Sequence, residues 1–297
     1  MNNMVIETNT LTKYFNKVKA VNEISISIQP NTITGIVGRN GAGKTTFLKM
    51  IAGFLKQSSG DINVFSERPF NSLIVANNSI FVDDEMLFPD VLTLREILVE
   101  GNRFYKNWDM NLAHKMLDYF SFNPDAVHAQ LSKGKKSTFN MLFGLSTRCA
   151  LTIFDEPTTG MDAAVRKDFY RVLLKDYLAY PRTFLISSHH LDEMEHLLED
   201  VLLIDKGKLL IHMPIDDLQE YAVGLSGSAL IMECVLKDQD VLYRETINKN
   251  TIFAIVKRGA DVENLKRMGI RIAPVSPSDL SIYMTKDFKG GIDDVLK

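Results

Sequence analysis

The sequence predicts an α/β fold built on a mainly parallel sheet with helices on both faces. Two observations carry this. TITGIV (32–37) is an unbroken apolar, β-branched run that leads into a glycine-punctuated loop, as a strand buried on both faces does. Further on, ALTIF (150–154), TFLIS (183–187) and VLLID (201–205) alternate with helix-length segments such as AAVRKDFYRVLLKDYL (163–178). Strands spaced in this way are joined by crossover helices.

Each element follows from its local pattern. EISISIQ (23–29) alternates apolar and polar residues and is closed by Pro30 and Asn31, which predicts a half-buried antiparallel strand and a turn. TTFLKMIAG (45–53) reads as a helix. Leu94, Ile97, Leu98, Leu112, Met116, Leu117 and Phe120 recur at three- and four-residue spacings, which predicts amphipathic helices in a helical insert over about 86–145. Near Gln219 the pattern changes: glycine-spaced AVGLSGSAL (222–230) leads into strand-like ALIMECVL (229–236) and TIFAIV (251–256). A helical VENLKRMG (262–269) and a strand in IRIAPV (270–275) follow. The expected organisation is a first domain at 1–219 and an appended α+β extension at 220–297.

Composition narrows the function. With 297 residues, 45% hydrophobic and 24% charged, the chain can bury the cores of about two domains. A net charge of −3 argues against a dedicated nucleic-acid binder, which carries an excess of Lys and Arg. The two cysteines, Cys149 and Cys234, are far apart and suggest neither a disulfide framework nor a zinc site. No apolar run reaches the ~18 residues of a membrane helix, and the N-terminus lacks a signal-peptide pattern, so a soluble cytoplasmic protein is expected.

GRNGAGKTT (38–46) fits G-x-x-x-x-G-K-[ST] and lies between an apolar strand and a helix, the context its chemistry requires. Glycines let successive backbone N–H groups turn toward one anion, and the helix N-terminus adds its dipole. The expected cradle is Gly38, Arg39, Asn40, Gly41, Ala42, Gly43, Lys44, Thr45 and Thr46. Lys44 reaches the β- and γ-phosphates, and Thr45 offers its hydroxyl to Mg²⁺. ALTIFDEP places Asp155 and Glu156 at the carboxyl end of a buried strand, where open α/β sheets bind ligands. Asp155 is expected to hold Mg²⁺ through water, and Glu156 to polarise the attacking water. His189, after TFLISS, is expected at the same sheet edge, bonded to the γ-phosphate. HHLDEMEH (189–196) puts Glu193 and His196 one helical turn apart, but without H-E-x-x-H a solvated acidic helix face explains it more simply than a metal site.

In this order the motifs resemble those of the ATP-binding subunit of an ABC transporter, over roughly residues 1–215. GRNGAGKTT, FVDDEMLFPD (81–90), the helical insert, LSKGKK (131–136), ALTIFDEP, TTGMD (158–162) and LISSH (185–189) match the family's phosphate loop, glutamine loop, helical subdomain, signature, acidic strand, D-loop and switch histidine. The resemblance implies a P-loop NTPase with an antiparallel β subdomain, a helical subdomain and the extension. It also implies that Ser132 and Gly134 of the signature complete the γ-phosphate cradle of an opposing subunit, and that Asp162 belongs to a dimer contact.

Two departures stand out. Lys133 and Lys135 replace the signature's usual glycine and glutamine, so part of that basic character is expected to face ATP across the dimer and part to be solvated. Asp84 takes the place of the loop glutamine, where it could approach Mg²⁺, with Asp83 or Glu85 as alternatives one residue away. In LTKYFNKVKAV (11–21), Phe15 is the residue best placed to stack on adenine, with Tyr14 as the alternative.

The resemblance implies ATP and Mg²⁺ as ligands, catalysis by Lys44, Glu156 and His189, and metal contacts from Thr45, Asp84 and Asp155. The implied partners are a membrane-spanning permease and a second ATPase subunit, identical or similar, with no nucleic acid; the implied location is the inner face of the cell membrane. PVSPSDLSIYMTKD (274–287) is similar to the extension in bacterial exporters of peptides and antibiotics. The rival readings are a soluble ABC protein of repair or translation and a regulatory ATP binder with little turnover.

Overall fold

A computed structural model describes residues 4–248, 250–259 and 262–285. The chain divides into two compact units, Met1–His212 and Met213–Lys297. Pro214, the last residue of a strand, is also the cap of a short helix at the start of the second unit.

The first unit begins with β1 (Ile6–Phe15) and β2 (Val18–Ile28), followed by β3 (Ile33–Val37), α1 (Lys44–Ile51), β4 (Ser59–Val64), α2 (Leu73–Asn78) and β5 (Ser79–Val82). A helical stretch follows: α3 (Leu94–Phe104), α4 (Met110–Tyr119) and α5 (Lys133–Ser146). Then come β6 (Leu151–Asp155), α6 (Ala163–Ala179), β7 (Thr183–Ser188), β8 (Asp200–Asp205) and β9 (Lys208–Pro214). The central sheet has the order β5-β6-β7-β3-β8-β9, and β5, β6, β7, β3 and β8 pair in parallel. Every residue of β3, β6 and β7 is buried, as their unbroken apolar runs require.

A separate antiparallel sheet, β2-β1-β4, carries the alternation seen in the sequence: Ile24, Ile26 and Ile28 are buried while Ser25 and Ser27 are exposed. Its first strand has no clean alternation, because register shifts between Thr8 and Tyr14 and a left-handed Thr10 (φ 48°) interrupt the pleat. In the helical stretch, α3 starts with a capping box in which Thr93 and Glu96 bond each other's backbone N–H, and Leu94, Ile97, Leu98 and Gly101 form its buried face.

The second unit comprises α7 (Ile215–Gln219), β10 (Ala222–Ser228), α8 (Ala229–Val235), β11 (Val241–Asn248), β12 (Thr251–Lys257), α9 (Val262–Arg267), β13 (Arg271–Pro274) and α10 (Pro277–Met284). Its sheet runs β11-β12-β10-β13, all antiparallel. One expectation fails here. ALIMECVL is helical rather than strand-like, because Met232 and Leu236, a turn apart, are the residues buried in this core, whereas Leu230 is exposed. The apolar run has a four-residue period hidden by its exposed members.

Candidate functional site

The buried strand β3 delivers the chain to Gly38, and α1 begins at Lys44. Glycine is obligatory at two points of the intervening loop. A Cβ on Gly38 would lie 2.2 Å from the Ile204 carbonyl oxygen, and one on Gly43, at φ 106°, would lie 2.2 Å from that of Ala20. The loop and the helix start enclose a cleft of about 230 Å³ lined by Ala20, residues 39–46 and Glu156. Inside it the Lys44 ammonium donates to the carbonyls of Gly38 (2.6 Å) and Arg39 (3.3 Å) and lies 3.0 Å from Glu156 Oε1.

Strand β6 ends in Asp155, and the chain then turns through a left-handed Glu156 (φ 47°), a conformation that non-glycine residues adopt at a cost. Register places Asp155 beside Ser187 of β7. The Ser187 hydroxyl donates to Asp155 Oδ1 (2.6 Å) and accepts from the Glu156 N–H (2.8 Å), so one buried side chain fixes both acidic residues. Glu156 Oε2 lies 2.8 Å from His189 Nδ1. A carboxylate held between an ammonium and an imidazole, facing a loop of backbone donors, is suited to accept a proton beside a phosphate.

The oxygens at this edge suit a hard cation: the Thr45 hydroxyl at the start of α1, the Asp155 carboxylate and one carboxylate of the 83–85 loop. The carboxylates that loop offers are Asp83, beside Lys49 of α1, the expected Asp84, and Glu85. Burial pushes the Asp83 carboxyl above its ordinary range; Lys49 pulls it down, and Glu85 and Asp155 push it further up. Lys49 Nζ of α1 lies 4.0 Å from Asp83. Asp84 instead pairs with Lys133 at 3.2 Å. Strand β5 ends at Val82, so both carboxylates lie in the loop beyond it, Asp83 half-buried and Asp84 exposed.

Ser132 caps α5, accepting from the Lys135 N–H at 3.4 Å, and Gly134 lies so close to the neighbouring turn that a Cβ would come 2.5 Å from the Gly160 carbonyl oxygen. The Ser137 hydroxyl donates to the Thr159 carbonyl (3.0 Å), and Asp162 caps α6 through the Ala164 and Val165 N–H groups. Lys135 turns toward its own chain, 3.5 Å from the Ser121 carbonyl oxygen and over the Phe122 ring. Phe15 is 46% exposed beside the β1–β2 turn, with Lys13 over its ring. Gly38, Asp155, His189, Ser132, Gly134, Asp162, Phe15, Asp83 and Asp84 are outside the lining of the Lys44 cleft.

HHLDEMEH is not a helix face; it forms two short 3-10 turns because Leu191, Met194 and Leu197 are drawn into the core at three-residue spacing. Glu193 there pairs with Arg166 at 2.5 Å. No cluster of metal-ligating residues occurs among the described residues.

Sequence reasoning missed Ser187, Asn140 and Lys49. Asn140, 1% exposed on α5, donates to the carbonyls of Asp83 (3.2 Å) and Met86 (3.3 Å) and takes His128 Nε2 on its Oδ1 at 2.8 Å. A lone amide inside the run FNMLFGL, whose other members are apolar or glycine, is the signal that could have found it.

A family model described as "ABC transporter" matches residues 21–159. The chain is 32% identical over 222 residues to the bacitracin transport ATP-binding protein BcrA of Bacillus licheniformis, covering 73% of this chain and 72% of that one. It is 27% identical over 216 residues to the ABC transporter ATP-binding protein YtrB of Bacillus subtilis, covering 73% and 74%. Among solved structures, an ATP-binding subunit of an ABC transporter superposes with a TM-score of 0.65 at 20% identity, over 72% of this chain and 92% of that one, a likeness of fold.

Proposed function

We propose that this chain, which belongs to the ATP-binding subunits of ABC transporters, hydrolyses ATP to drive export of a peptide or antibiotic-like substrate through a separate membrane-spanning protein. The family relation to a bacitracin transport protein and the α+β extension support the substrate class. The observation that carries the catalytic reading is Glu156 held between Lys44 and His189 at the mouth of the phosphate loop.

In this reading ATP lays its phosphates on the N–H groups of residues 39–46, and Lys44 moves its ammonium from Glu156 to the β- and γ-oxygens. Thr45, Asp155 and a carboxylate of the 83–85 loop, Asp84 or its neighbour Asp83 or Glu85, would hold Mg²⁺, which would neutralise charge on the phosphates. Glu156, oriented by His189 and Ser187, takes a proton from water as the water oxygen bonds to the γ-phosphorus and the bond to the β–γ bridging oxygen breaks. Two copies, or this chain and a similar partner, close around two nucleotides, so that Ser132 and Gly134 of one reach the ATP of the other. The remaining contacts expected of the site, with Phe15 against adenine and Asp162 at the subunit contact, belong to that closed state.

A groove of about 400 Å³ beside the 83–86 loop, lined by Met86, Phe88, Pro89, Leu92, Phe104 and Tyr105, supports docking of an apolar segment of the membrane protein. Leu87, Val91 and Phe104 on its margin are largely exposed. No helix among the described residues is long and apolar enough to cross a membrane; the family relation supports assigning the substrate path to the partner and this chain to its inner face. Membrane vesicles containing the complex test the proposal: ATP-dependent peptide efflux that is lost in Glu156→Gln supports it, and ATP turnover without such efflux removes the substrate class.

A further inference from the structure

Lys133 and Asp84, 49 positions apart and both unusual for the motifs they occupy, are paired with each other at 3.2 Å. Burial does not hold this pair: the Lys133 side chain is 64% exposed and that of Asp84 42%. An exposed pair of this kind shifts an equilibrium by less than about fivefold. The loop carrying Asp84 has an independent anchor, since buried Asn140 already bonds the Asp83 and Met86 carbonyls and His128 fixes its amide. The pair can therefore break without releasing the loop.

The position of the ammonium is also defined. Lys133 is the first residue of α5, directly after the Ser132 cap, and its stem lies against Gly160, where a Cβ would be 3.2 Å from Lys133 Cγ. Lys135 is committed elsewhere in its own chain. Lys136 is half-buried and acts on His128, so Lys133 is an exposed cation of the segment, held only by Asp84.

We propose that Lys133 is a phosphate-contacting residue in trans: when two copies close around ATP, its ammonium leaves Asp84 and bonds the terminal phosphate of the nucleotide held by the second copy. Asp84 competes with that phosphate and sets the threshold for closure. The inference rests on the two-copy reading above. A terminal phosphate carries about two negative charges against one on Asp84, and closure removes the water that screens the contact. Asp84, already half in solvent, returns to water at little cost.

The test is the full chain with Glu156→Gln, kept from turning over, and its Mg·ATP-driven association measured by sedimentation. Adding Lys133→Gln should weaken the ATP-dependent dimer by about tenfold or more while leaving nucleotide binding to the dilute monomer unchanged. Adding Asp84→Asn should tighten it by about two- to fivefold, and that gain should vanish when Lys133→Gln is also present. A Lys133→Gln dimer as tight as its parent, or an Asp84→Asn gain that survives without Lys133, overturns the inference while leaving the two-copy reading intact. A parent that binds ATP and stays monomeric overturns that reading, and this inference with it. Thermal unfolding of each variant confirms that it is folded.

Discussion

The Lys44 ammonium lies 3.0 Å from the Glu156 carboxylate, so the cation proposed to bind the phosphates is paired with the carboxylate proposed to activate the water. Nucleotide must exchange one partner for the other. Lys44→Ala should abolish ATP binding, whereas Glu156→Gln should cut turnover by about 10²–10⁴-fold and tighten ATP binding, because its amide no longer competes for Lys44. Titration with a fluorescent nucleotide and steady-state phosphate release separate the two effects.

Ser187 should act through the residues it holds. Ser187→Ala leaves the Glu156 N–H and Asp155 Oδ1 without their shared hydroxyl in a fully buried place, which should cost about 1–3 kcal/mol of stability and lower kcat more than it raises KM for ATP. Denaturant unfolding and initial-rate kinetics check both.

Phe104→Asp should abolish recovery of the membrane partner. The side chain is 82% exposed on the groove margin, so the unfolding temperature should not fall, and co-purification from membranes is the measurement that decides.

The His128–Asn140 contact should make stability depend on pH. Burial pushes the imidazole below its ordinary value, partly opposed by the bond to Asn140. Because the Asn140 Nδ2 serves two carbonyls, its Oδ1 must accept, so His128 Nε2 carries the proton of a neutral ring. The unfolded chain then binds the extra proton first as pH falls. This contribution is complete above the unfolded value, ~6.5, and is lost as pH drops through it toward the folded value. Urea unfolding between about pH 8 and about pH 5, on either side of that value, should show the fall, and His128→Gln should flatten it.

Much of the site was legible because its parts are local. GRNGAGKTT and ALTIFDEP each state their strand, turn and donors within a few consecutive residues, and the cleft around Lys44 assembles from these two segments with Ala20. What escaped depends on register or on distant pairing. Asp84 is drawn to Lys133 and Asp83 to Lys49, pairings between segments far apart in the chain. Ser187 matters because it sits beside Asp155 across two strands, and Lys133 meets Asp84 only through the packing of α5 on the loop. In the second unit, the helix at Ala229–Val235 was hidden because its exposed apolar residues, such as Leu230, imitate a strand.

The central claim, an ATPase that drives a membrane partner, is tested most directly by capturing tagged Glu156→Gln protein from gently solubilised native membranes with Mg·ATP. The account predicts that a polytopic membrane protein co-purifies and is lost when Lys44→Ala is used instead. Recovery of ribosomes or nucleic acid, with no membrane protein, would contradict it.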